Sequence, residues 1–566
     1  MILQPAVLVL IAGAALRIVI SEILGSVFLS GENMDDVLLL SYAALRSHFL
    51  EPNVYALCKT LVFPVFLDIV HYSHLSYHLC LALLYILSAL VLYCSCQRIF
   101  KKTWLSLAAY LYFLFIPLAF DYWCGLRVYR NAIIPPVLTV LFSMLVLSVY
   151  RSWFEQNEGK KALVRDLLFY LALGFVFFTA YYIREDGIWI LACVFVFLLA
   201  AAFGCLLQLK GREKKAGGLL RTAFVLLPFL VFFAGTAGYK AVNRHFFGVA
   251  EIETRMDGEQ GKFFRLLFRI DSEERSSVIW LPADVLDQAY GVSETLQTAP
   301  ELREGLVHHE NVEYDLYENP VPGEGLTWLM KNVLVTSGFY QGEAQTEAFF
   351  RKVNAELEAA FSDGRLKEAK RIQILGSSGG FTKEEIFELT REMRAGLEGT
   401  VLEKGYLIGA YPTNLSERLE NRSVSEFAAN ICNEPEFADF TTEGFRKGQE
   451  KLDRILRVYF PVMGAVNAVL FVSGIAAVFA GFIRLFKKRG EELKKEIIHW
   501  LGISAFYGIG FVYLFGISWY SHFIWGSGEI NTVILNFYLI ALPVIWMFGY
   551  LLSIDFWCRV FRREKA

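Results

Sequence analysis

The stretch GIWILACVFVFLLAAAFGCLLQ, residues 187–208, runs for 22 residues without one charged side chain. About 20 apolar residues are enough for a helix to cross the hydrocarbon core of a bilayer. The charged sequence IRED (183–186) comes directly before this stretch, and the basic sequence KGREKK (210–215) follows it. The stretch therefore predicts a transmembrane helix whose two ends differ in charge.

The whole chain has the same character, since 55% of its 566 residues are hydrophobic and its mean hydropathy is +0.42. These values predict an all-α polytopic membrane protein. The net charge of -3 gives no indication of a nucleic acid partner. Apolar runs long enough to span a membrane lie near 3–28, 75–97, 104–121, 131–150, 167–183, 187–208, 222–243, 457–485, 497–516 and 531–554. We therefore expect about ten transmembrane helices.

The segments between the runs alternate in charge. Lysine and arginine are concentrated in 98–102, 151–165, 210–221, 487–495 and 559–565, whereas the short segments in between carry few of them. Because cytoplasmic loops carry the excess of positive charge, both termini are predicted to be cytoplasmic. This orientation predicts an N-terminal transmembrane module (1–243), a large, mainly helical extracytoplasmic domain (244–456) and a C-terminal transmembrane module (457–566).

Charged residues that the topology does not explain fall in three short outer loops. The first contains Asp35 and Asp36, with Lys59 further on, in ENMDDVLLL and KTLVFPVFL. The second, DYWCGLRVYRN, contains Asp121, Arg127 and Arg130, and the third contains Arg184, Glu185 and Asp186. Distant parts of the chain thus bring acids and bases to one face of the membrane, where ionisable residues often mark a functional site.

These side-chain types suit a substrate that is anionic at one end and hydroxylated at the other. Arginine forks and a lysine pair well with phosphate oxygens. Carboxylates can take a proton from a hydroxyl group or bind a divalent cation. A sugar linked to a polyprenyl phosphate has both needs. Structural readings stay open for each loop: a solvated acidic turn, arginines whose heads reach the interface, and a polar hairpin turning at Gly187.

Four short motifs, in this order along the chain, resemble the GT-C superfamily of polytopic glycosyltransferases, in its bacterial dolichyl-phosphate-mannose-transferase-like branch. They are MDD, KTLVFPVFL, LRVYRN and IREDGIW. The segments at 279–302 and 338–366 look like the outer domain of bacterial members of that branch. The resemblance implies a GT-C-like helical bundle in a bacterial plasma membrane, acting in envelope glycan synthesis.

The resemblance also implies roles for residues. An acid of the first outer loop, Asp35 or Asp36, would be the general base, and Glu185 matches the acid that follows the arginine of the third loop. Basic residues would contact the carrier phosphate, a role that falls to Lys59, Arg127, Arg130 and Arg184. Asp121 and Asp186 are candidate substrate-binding residues. A divalent cation such as Mg²⁺ or Mn²⁺, held by Asp35 and Glu185, is an open part of this hypothesis.

The expected function is transfer of a sugar from a polyprenyl-phosphate (undecaprenyl-type) donor to an envelope glycan, lipid or protein on the extracytoplasmic face. A transporter or flippase of the same lipid is the main alternative. Such proteins carry polar residues near the bilayer midplane and often have internal repeats. Here Arg17 is the exception in spans that otherwise lack charges near the midplane, and we find no convincing repeat. An envelope scaffold is a third alternative, but it would not need opposed acids and arginines.

Overall fold

The computed structural model describes residues 5–29, 35–44, 53–155, 159–209, 215–309, 314–315, 320–374, 376, 378–408, 422–434, 443–487, 489–526 and 528–563. Structural statements below concern these residues. The described chain is helical apart from its turns and one short hairpin, in which β1 (His308–His309) pairs with β2 (Tyr314–Asp315). The expectation of a helical polytopic protein is confirmed.

Ten helices of the described part are long and apolar enough to cross a bilayer, as predicted. The tenth differs in position. The sequence predicted a span over 531–554, but the chain forms a short helix over Thr532–Tyr538 and starts again at Leu542. Pro543 lies in the first turn of this second helix, where its fixed φ angle is tolerated. The span accordingly runs over Leu542–Phe561.

The first 247 residues form the N-terminal membrane module and the helices at its surface. Their bounds are α1 Pro5–Leu24, α2 Asp35–Ala44, α3 Val62–Ser73, α4 Tyr77–Phe100, α5 Thr103–Leu114, α6 Ile134–Phe154, α7 Lys160–Tyr181, α8 Ile188–Leu209, α9 Lys215–Phe224 and α10 Leu227–Phe247. The short α2 and α3 both lie in the segment that the sequence indicates as the first outer loop, so the described part of that loop contains two helices.

Local sequence explains where these helices begin and end. The hydroxyl of Ser76 caps α4 by accepting a hydrogen bond from the amide of Leu79. Pro135 and Pro228 lie in the first turns of α6 and α10, where a missing backbone N–H costs nothing. Gly248 ends α10 at φ 73°, a left-handed conformation that glycine adopts without strain.

The segment after α10 forms a second unit with its own apolar core. Its helices, together called the outer domain, are α11 Gly258–Leu267, α12 Ala283–Val292, α13 Glu294–Gln297, α14 Pro300–Val307, α15 Gly325–Thr336 and α16 Glu343–Ser362. Two further helices follow, α17 Leu389–Leu402 and α18 Arg422–Ile431, and their buried residues Val401 and Ala428 belong to the core of the membrane modules. Phe263, Trp280 and Phe350 are buried in the core of the outer domain. Val54, from the chain between α2 and α3, is buried with them. The first outer loop is therefore part of this outer domain's core.

The C-terminal module contains α19 Glu443–Leu485, α20 Gly490–Ser521, α21 Thr532–Tyr538 and α22 Leu542–Arg563. At 1.5 Å per residue α19 is about 65 Å long, roughly twice the hydrocarbon thickness, so it extends well beyond a bilayer. The predicted domain boundary at 456 thus falls inside a continuous helix. In addition, α17 packs against α19, α20 and α21. A Cβ at Gly464 would lie 2.3 Å from the carbonyl oxygen of Leu402, so this close approach needs glycine.

Ion pairs join the basic segments at one end of the bundle. Lys102 pairs with Asp555 at 2.7 Å, and Arg484 pairs with Glu496 at 3.0 Å. Arg221 lies 3.1 Å from Asp166. The outer domain lies at the other end, where α10 ends and α19 begins. The basic segments and the outer domain therefore lie at opposite ends of the bundle.

Candidate functional site

A cavity of about 800 Å³ lies where the membrane modules meet the outer domain. Its walls come from the first outer loop, the starts of α6 and α8, the chain before α11, and the end of α20. Six of the nine residues singled out in the sequence line it: Asp35, Lys59, Arg130, Arg184, Glu185 and Asp186. The structure thus brings together residues that are up to 151 positions apart in the chain.

Asp35 is held at the start of α2 by two partners. Its Oδ2 lies 2.7 Å from Lys59 Nζ and accepts a hydrogen bond of 3.0 Å from the Tyr129 hydroxyl. Burial by itself raises the pKa of Asp35, but the Lys59 ammonium and the Arg130 guanidinium outweigh burial and hold that pKa well below its ordinary value. Asp35 is therefore ionised at neutral pH.

Asp36 lies on a different side of α2 and does not line the cavity. Its carboxylate forms a bidentate pair with Arg127, in which Arg127 Nε donates to Oδ1 at 2.8 Å. Both side chains are buried, with exposures of 0% and 5%. The roles that the sequence analysis gave to Asp36 and Arg127 are thus not open to them in this conformation, because each satisfies the other behind the cavity wall.

Aromatic rings and backbone contacts fix Arg127 further. Its guanidinium carbon lies 4.6 Å from the ring centre of Trp123 and 4.7 Å from that of Tyr129. The backbone next to Arg127 pairs with Val27, whose carbonyl accepts from the amide of Val128 at 2.7 Å. The Asp36–Arg127 ion pair and these backbone contacts together join the end of α1, the start of α2 and the second outer loop.

Asp121 is also placed outside the cavity. One of its oxygens accepts from the amide of Cys124 and the other from the amide of Leu407, both at 2.6 Å. Burial raises the pKa of Asp121 to about 6, although these amides favour its ionised form. Instead of contacting a substrate, Asp121 connects the second outer loop to the chain that follows α17.

Arg130 and Glu185 form the second ion pair of the cavity. Arg130 Nη1 lies 2.5 Å and 2.6 Å from the two oxygens of Glu185, and its Nε donates to the Tyr129 hydroxyl at 3.1 Å. Burial opposes ionisation of Glu185, yet Arg130 and Lys59 lower the pKa of Glu185 to about 2. A continuous chain of contacts thus runs from Glu185 through Arg130, Tyr129 and Asp35 to Lys59.

Arg184 is less fully satisfied than its neighbours. Its Nε lies 3.2 Å from an oxygen of Asp186, whereas its Nη1 is buried and has no hydrogen-bond partner among the residues that the structure describes. An unpaired buried donor on a cation is costly, and a bound anion would satisfy it. Among the described residues, Arg255 Nε is also buried without a partner, so Arg184 and Arg255 are the cavity arginines whose hydrogen bonding favours an added oxyanion.

The outer domain supplies cavity residues that the sequence reading missed. Arg255 lies 3.3 Å from Glu324, and its guanidinium carbon is 4.6 Å from the centre of the Trp328 ring. Lys59 Nζ is 4.9 Å from the same ring centre. Trp328 therefore contacts one cation from each side of the junction. The charged stretch ETRMD at 253–257, directly after a span like IRED at 183–186, was the signal that could have identified this region.

Glu253 is a further cavity acid, and it differs from Glu185. Its oxygens accept from the amides of Met256, at 2.7 Å and 2.9 Å, and Asp257, at 3.0 Å. Burial raises the pKa of Glu253 to about 7, against the opposing effect of Arg255. The cavity thus holds two carboxylates with lowered pKa values, Asp35 and Glu185, and one carboxyl group, Glu253, whose pKa is raised.

Away from these charges the cavity continues as an apolar groove between α8 and α20. Ile188, Ala192 and Val196 line it from α8, and Ala505, Ile509 and Val512 line it from α20. The two helices touch through ring contacts, Trp189 with Tyr513 at 4.8 Å and Phe197 with Phe506 at 5.5 Å. Val196 and Val512 are 54% and 72% exposed, so in a bilayer this groove would open to lipid.

The two carboxylates proposed as metal ligands, Asp35 and Glu185, are each occupied by a cationic side chain. Lys59 covers one and Arg130 the other. In the described part of the chain, no three histidine, cysteine or acidic side chains are grouped so that they could hold a metal ion. A divalent cation would bind these two acids only after Lys59 or Arg130 had moved away.

Comparison of the chain with protein-family models, curated proteins and solved structures gives no match in any of the three. Functional inference therefore rests on the geometry of the cavity and on the physical chemistry of its residues.

Proposed function

We propose that the protein is a membrane glycosyltransferase that takes a sugar from a polyprenyl-phosphate carrier and transfers it to an acceptor hydroxyl. The observation that carries this proposal is the continuity of the cavity, whose charged end leads into a lipid-facing apolar groove. A substrate that fits both parts has an anionic head and a hydrocarbon tail. The resemblance of the outer-loop motifs to GT-C enzymes supports the same proposal, and it adds the bacterial plasma membrane as the expected location, with the outer domain extracytoplasmic.

The donor phosphate would lie between Arg184, Arg130 and Lys59. Arg184 has a buried donor without a partner in the described part of the chain, and the other two cations face the same cavity. The polyprenyl chain would lie in the groove between α8 and α20. The groove residues of α8 run from Ile188 to Val196, a length of about 12 Å at 1.5 Å per residue. This length accommodates a few isoprene units. The rest of the chain would continue into the bilayer.

Asp35 is the proposed general base. In a single inverting displacement, the acceptor oxygen bonds to the anomeric carbon while the bond from that carbon to the phosphate oxygen breaks. The acceptor proton passes to Asp35, and the phosphate leaves with its lipid. Cations near the phosphate stabilise the charge that develops on it. No metal ion is required for this sequence of bond changes.

Donor binding would also make Asp35 a stronger base. With the cavity empty, Lys59 is committed to Asp35 at 2.7 Å. A phosphate that shares Lys59 weakens this ion pair, and the pKa of Asp35 rises towards its ordinary value. A base is most effective when its pKa approaches the working pH. Substrate binding and activation of the base are therefore coupled through one lysine.

The direct test uses purified protein in nanodiscs, synthetic polyprenyl-phosphate sugars and measurement of released carrier phosphate. We expect turnover by the wild type, a loss of turnover in Asp35→Asn, and a higher donor KM in Arg184→Gln, which slows carrier release at subsaturating donor. Arg244→Gln is the matched control, because Arg244 is exposed near the end of α10 and does not line the cavity. Equal turnover by Asp35→Asn and wild type would contradict the assignment of the base.

The same preparation separates the enzyme from the alternative transporter. A fluorescent lipid-linked sugar in proteoliposomes reports movement between leaflets, and carrier release is measured in parallel. Movement of the lipid without carrier release would support transport. A photoreactive group on the isoprenoid chain should label peptides from α8 and α20, and labelling elsewhere would contradict the placement of the tail.

A further inference from the structure

Arg265 differs from the other cations of the cavity in having no acidic partner. Five cationic side chains line the cavity: Lys59, Arg130, Arg184, Arg255 and Arg265. The first four each have a carboxylate within 4 Å. In the part of the chain that the structure describes, Arg265 has none, and its Nη1 instead donates to the carbonyl of Met256 at 2.8 Å. Its positive charge is therefore not neutralised locally.

Asp257 is the corresponding acid of the same region. It lines the cavity, is exposed to it, and has no ion-pair partner among the described residues. Because Arg265 reaches back to the carbonyl of Met256, its guanidinium lies near the peptide that precedes Asp257. The carboxylate and the guanidinium nevertheless form no ion pair. A cation and an anion thus face one cavity, close together but unpaired.

Both groups face the open space of the cavity, and the backbone supports Arg265 from one side. Gly376 lies against the side chain of Arg265, where a Cβ would be 3.2 Å from Cδ of the arginine. The other cations of the cavity each have a carboxylate within 4 Å, so Arg265 is the cavity cation of the described residues with a guanidinium open to an added anion. A guanidinium with free N–H groups matches the oxygens of a phosphate ester.

We propose that Arg265 and Asp257 form the acceptor site, and that the acceptor is a phosphate-bearing alcohol. Arg265 binds the phosphate, and Asp257 accepts a hydrogen bond from a hydroxyl of the same molecule. The acceptor site rests on the proposed transferase function, because only a transferase needs an acceptor. It adds a substrate class and a site that lies on the outer domain, away from the donor cations of the membrane module.

Binding measurements test the site without requiring turnover. Protein in phosphatidylcholine nanodiscs is titrated with glycerol phosphate, with glycerol and with citronellyl phosphate, a short isoprenyl phosphate. We expect Arg265→Gln to weaken glycerol phosphate about tenfold, the effect of losing one charge-assisted hydrogen bond, and to leave citronellyl phosphate unchanged. Arg184→Gln should do the reverse. Arg269→Gln is the matched control, since Arg269 pairs with Glu368 and does not line the cavity.

Asp257→Asn provides a second variant with a different signature. It removes a negative charge, so inorganic phosphate should bind more tightly, whereas glycerol phosphate should gain less because its hydroxyl loses an anionic acceptor. Wild-type protein that does not bind glycerol phosphate, or Arg265→Gln protein that binds it as the wild type does, would overturn the acceptor site. If the wild-type protein binds glycerol phosphate but not citronellyl phosphate, the proposed donor site is contradicted and the acceptor site is supported.

A further arm identifies where the phosphate comes from. The glycerol phosphate titration is repeated in nanodiscs that contain phosphatidylglycerol. Competition by this lipid, absent in Arg265→Gln, supports the site and indicates an acceptor presented by the membrane. Unchanged binding supports the site and indicates an acceptor that reaches the cavity from the aqueous side.

Discussion

Asp35 and Asp36 are neighbours in the chain, but they lie in opposite environments. Asp35 faces the cavity with Lys59 and is 32% exposed, whereas Asp36 is fully buried against Arg127. Successive side chains of a helix point about 100° apart, so two neighbours at the start of α2 face different surroundings. Asp35 is thus available to a substrate, and Asp36 holds together the loops that build the site.

The largest expected effect is on catalysis by Asp35→Asn. Removing a general base lowers a rate about 10²–10⁴-fold, and we expect the carrier-release rate to fall within this range. The folded structure should be retained, because the amide oxygen of asparagine can still accept a hydrogen bond from Nζ of the buried Lys59. Carrier release and thermal unfolding are measured on the same preparation. A large loss of thermal stability would mean that Asp35 is structural, like Asp36.

Asp36→Asn should have its main effect on stability. Removal of one partner from a buried ion pair costs about 3–5 kcal/mol, because the other charge remains buried and unpaired. Here the remaining charge is Arg127, which is 5% exposed. Unfolding in detergent, followed by loss of monodisperse protein on heating, measures the change.

The double variant Asp36→Leu/Arg127→Met is the control for this prediction. It removes both charges and should recover much of the lost stability. If the double variant is as unstable as Asp36→Asn, the cost does not come from an unpaired charge.

Arg184→Gln should weaken donor binding about tenfold, since hydrogen bonds to charged groups contribute about 1.5–3 kcal/mol. The partner of Arg184, Asp186, is 35% exposed and can be solvated after the substitution. We therefore expect a higher KM for the donor with little change in thermal unfolding. A fall in kcat at constant KM would instead place Arg184 at the reacting centre.

The cavity acids Glu185 and Glu253 are expected to make folding stability depend on pH in opposite ways. The pKa of Glu253 is raised to about 7 by burial, so its ionisation destabilises the folded state as pH rises from about 4.5 to 7. Glu185 has a lowered pKa of about 2, so its stabilising effect is present above about pH 4.5 and is lost as pH falls towards 2. Glu253→Gln should therefore flatten the stability profile between pH 4.5 and 7, and Glu185→Gln should not.

The smallest expected effects concern two tryptophans, one on each side of the cavity wall. Trp328 lies over Lys59 in the cavity, and Trp123 lies over Arg127 behind it. Cation–π contacts contribute about 0.5–2 kcal/mol, so Trp328→Leu should change donor KM several-fold. Trp123→Leu should lower stability and leave KM nearly unchanged. Donor KM and thermal unfolding are measured for both variants. If the two variants change KM and stability equally, the two tryptophans do not have the different roles proposed for them.

Much of the fold could be predicted because hydrophobic length is a local property. The run at 187–208 contains the span over Ile188–Gln208 nearly residue for residue. The run at 531–554 was misplaced because Pro543 and the break after Tyr538 divide an apolar stretch that composition alone treats as continuous. Apolar content indicates that a helix crosses the membrane, but local backbone chemistry decides where the helix starts.

The candidate site was predictable in part for a related reason. Lys59, Arg130, Arg184 and Glu185 stood out because charge at the end of a span needs an explanation. Arg255 and Asp257 had one signal, their position in the charged stretch ETRMD after a span, whereas Arg265 lies in a helix of a charge-rich segment and had none. Their role depends on which charged groups remain unpaired after folding, and ion pairs between distant segments cannot be read from composition.

The sequence by itself determined that the chain is a bundle of about ten membrane helices with acids and bases grouped at one end. Hydrophobic runs and basic loops encode these features residue by residue. Only the tertiary structure decided that Asp35 faces the cavity, that Asp36 and Arg127 are buried together, and that the outer domain completes the site. Those outcomes depend on helix phase and on contacts between segments far apart in the chain, so they arise only when the modules pack together.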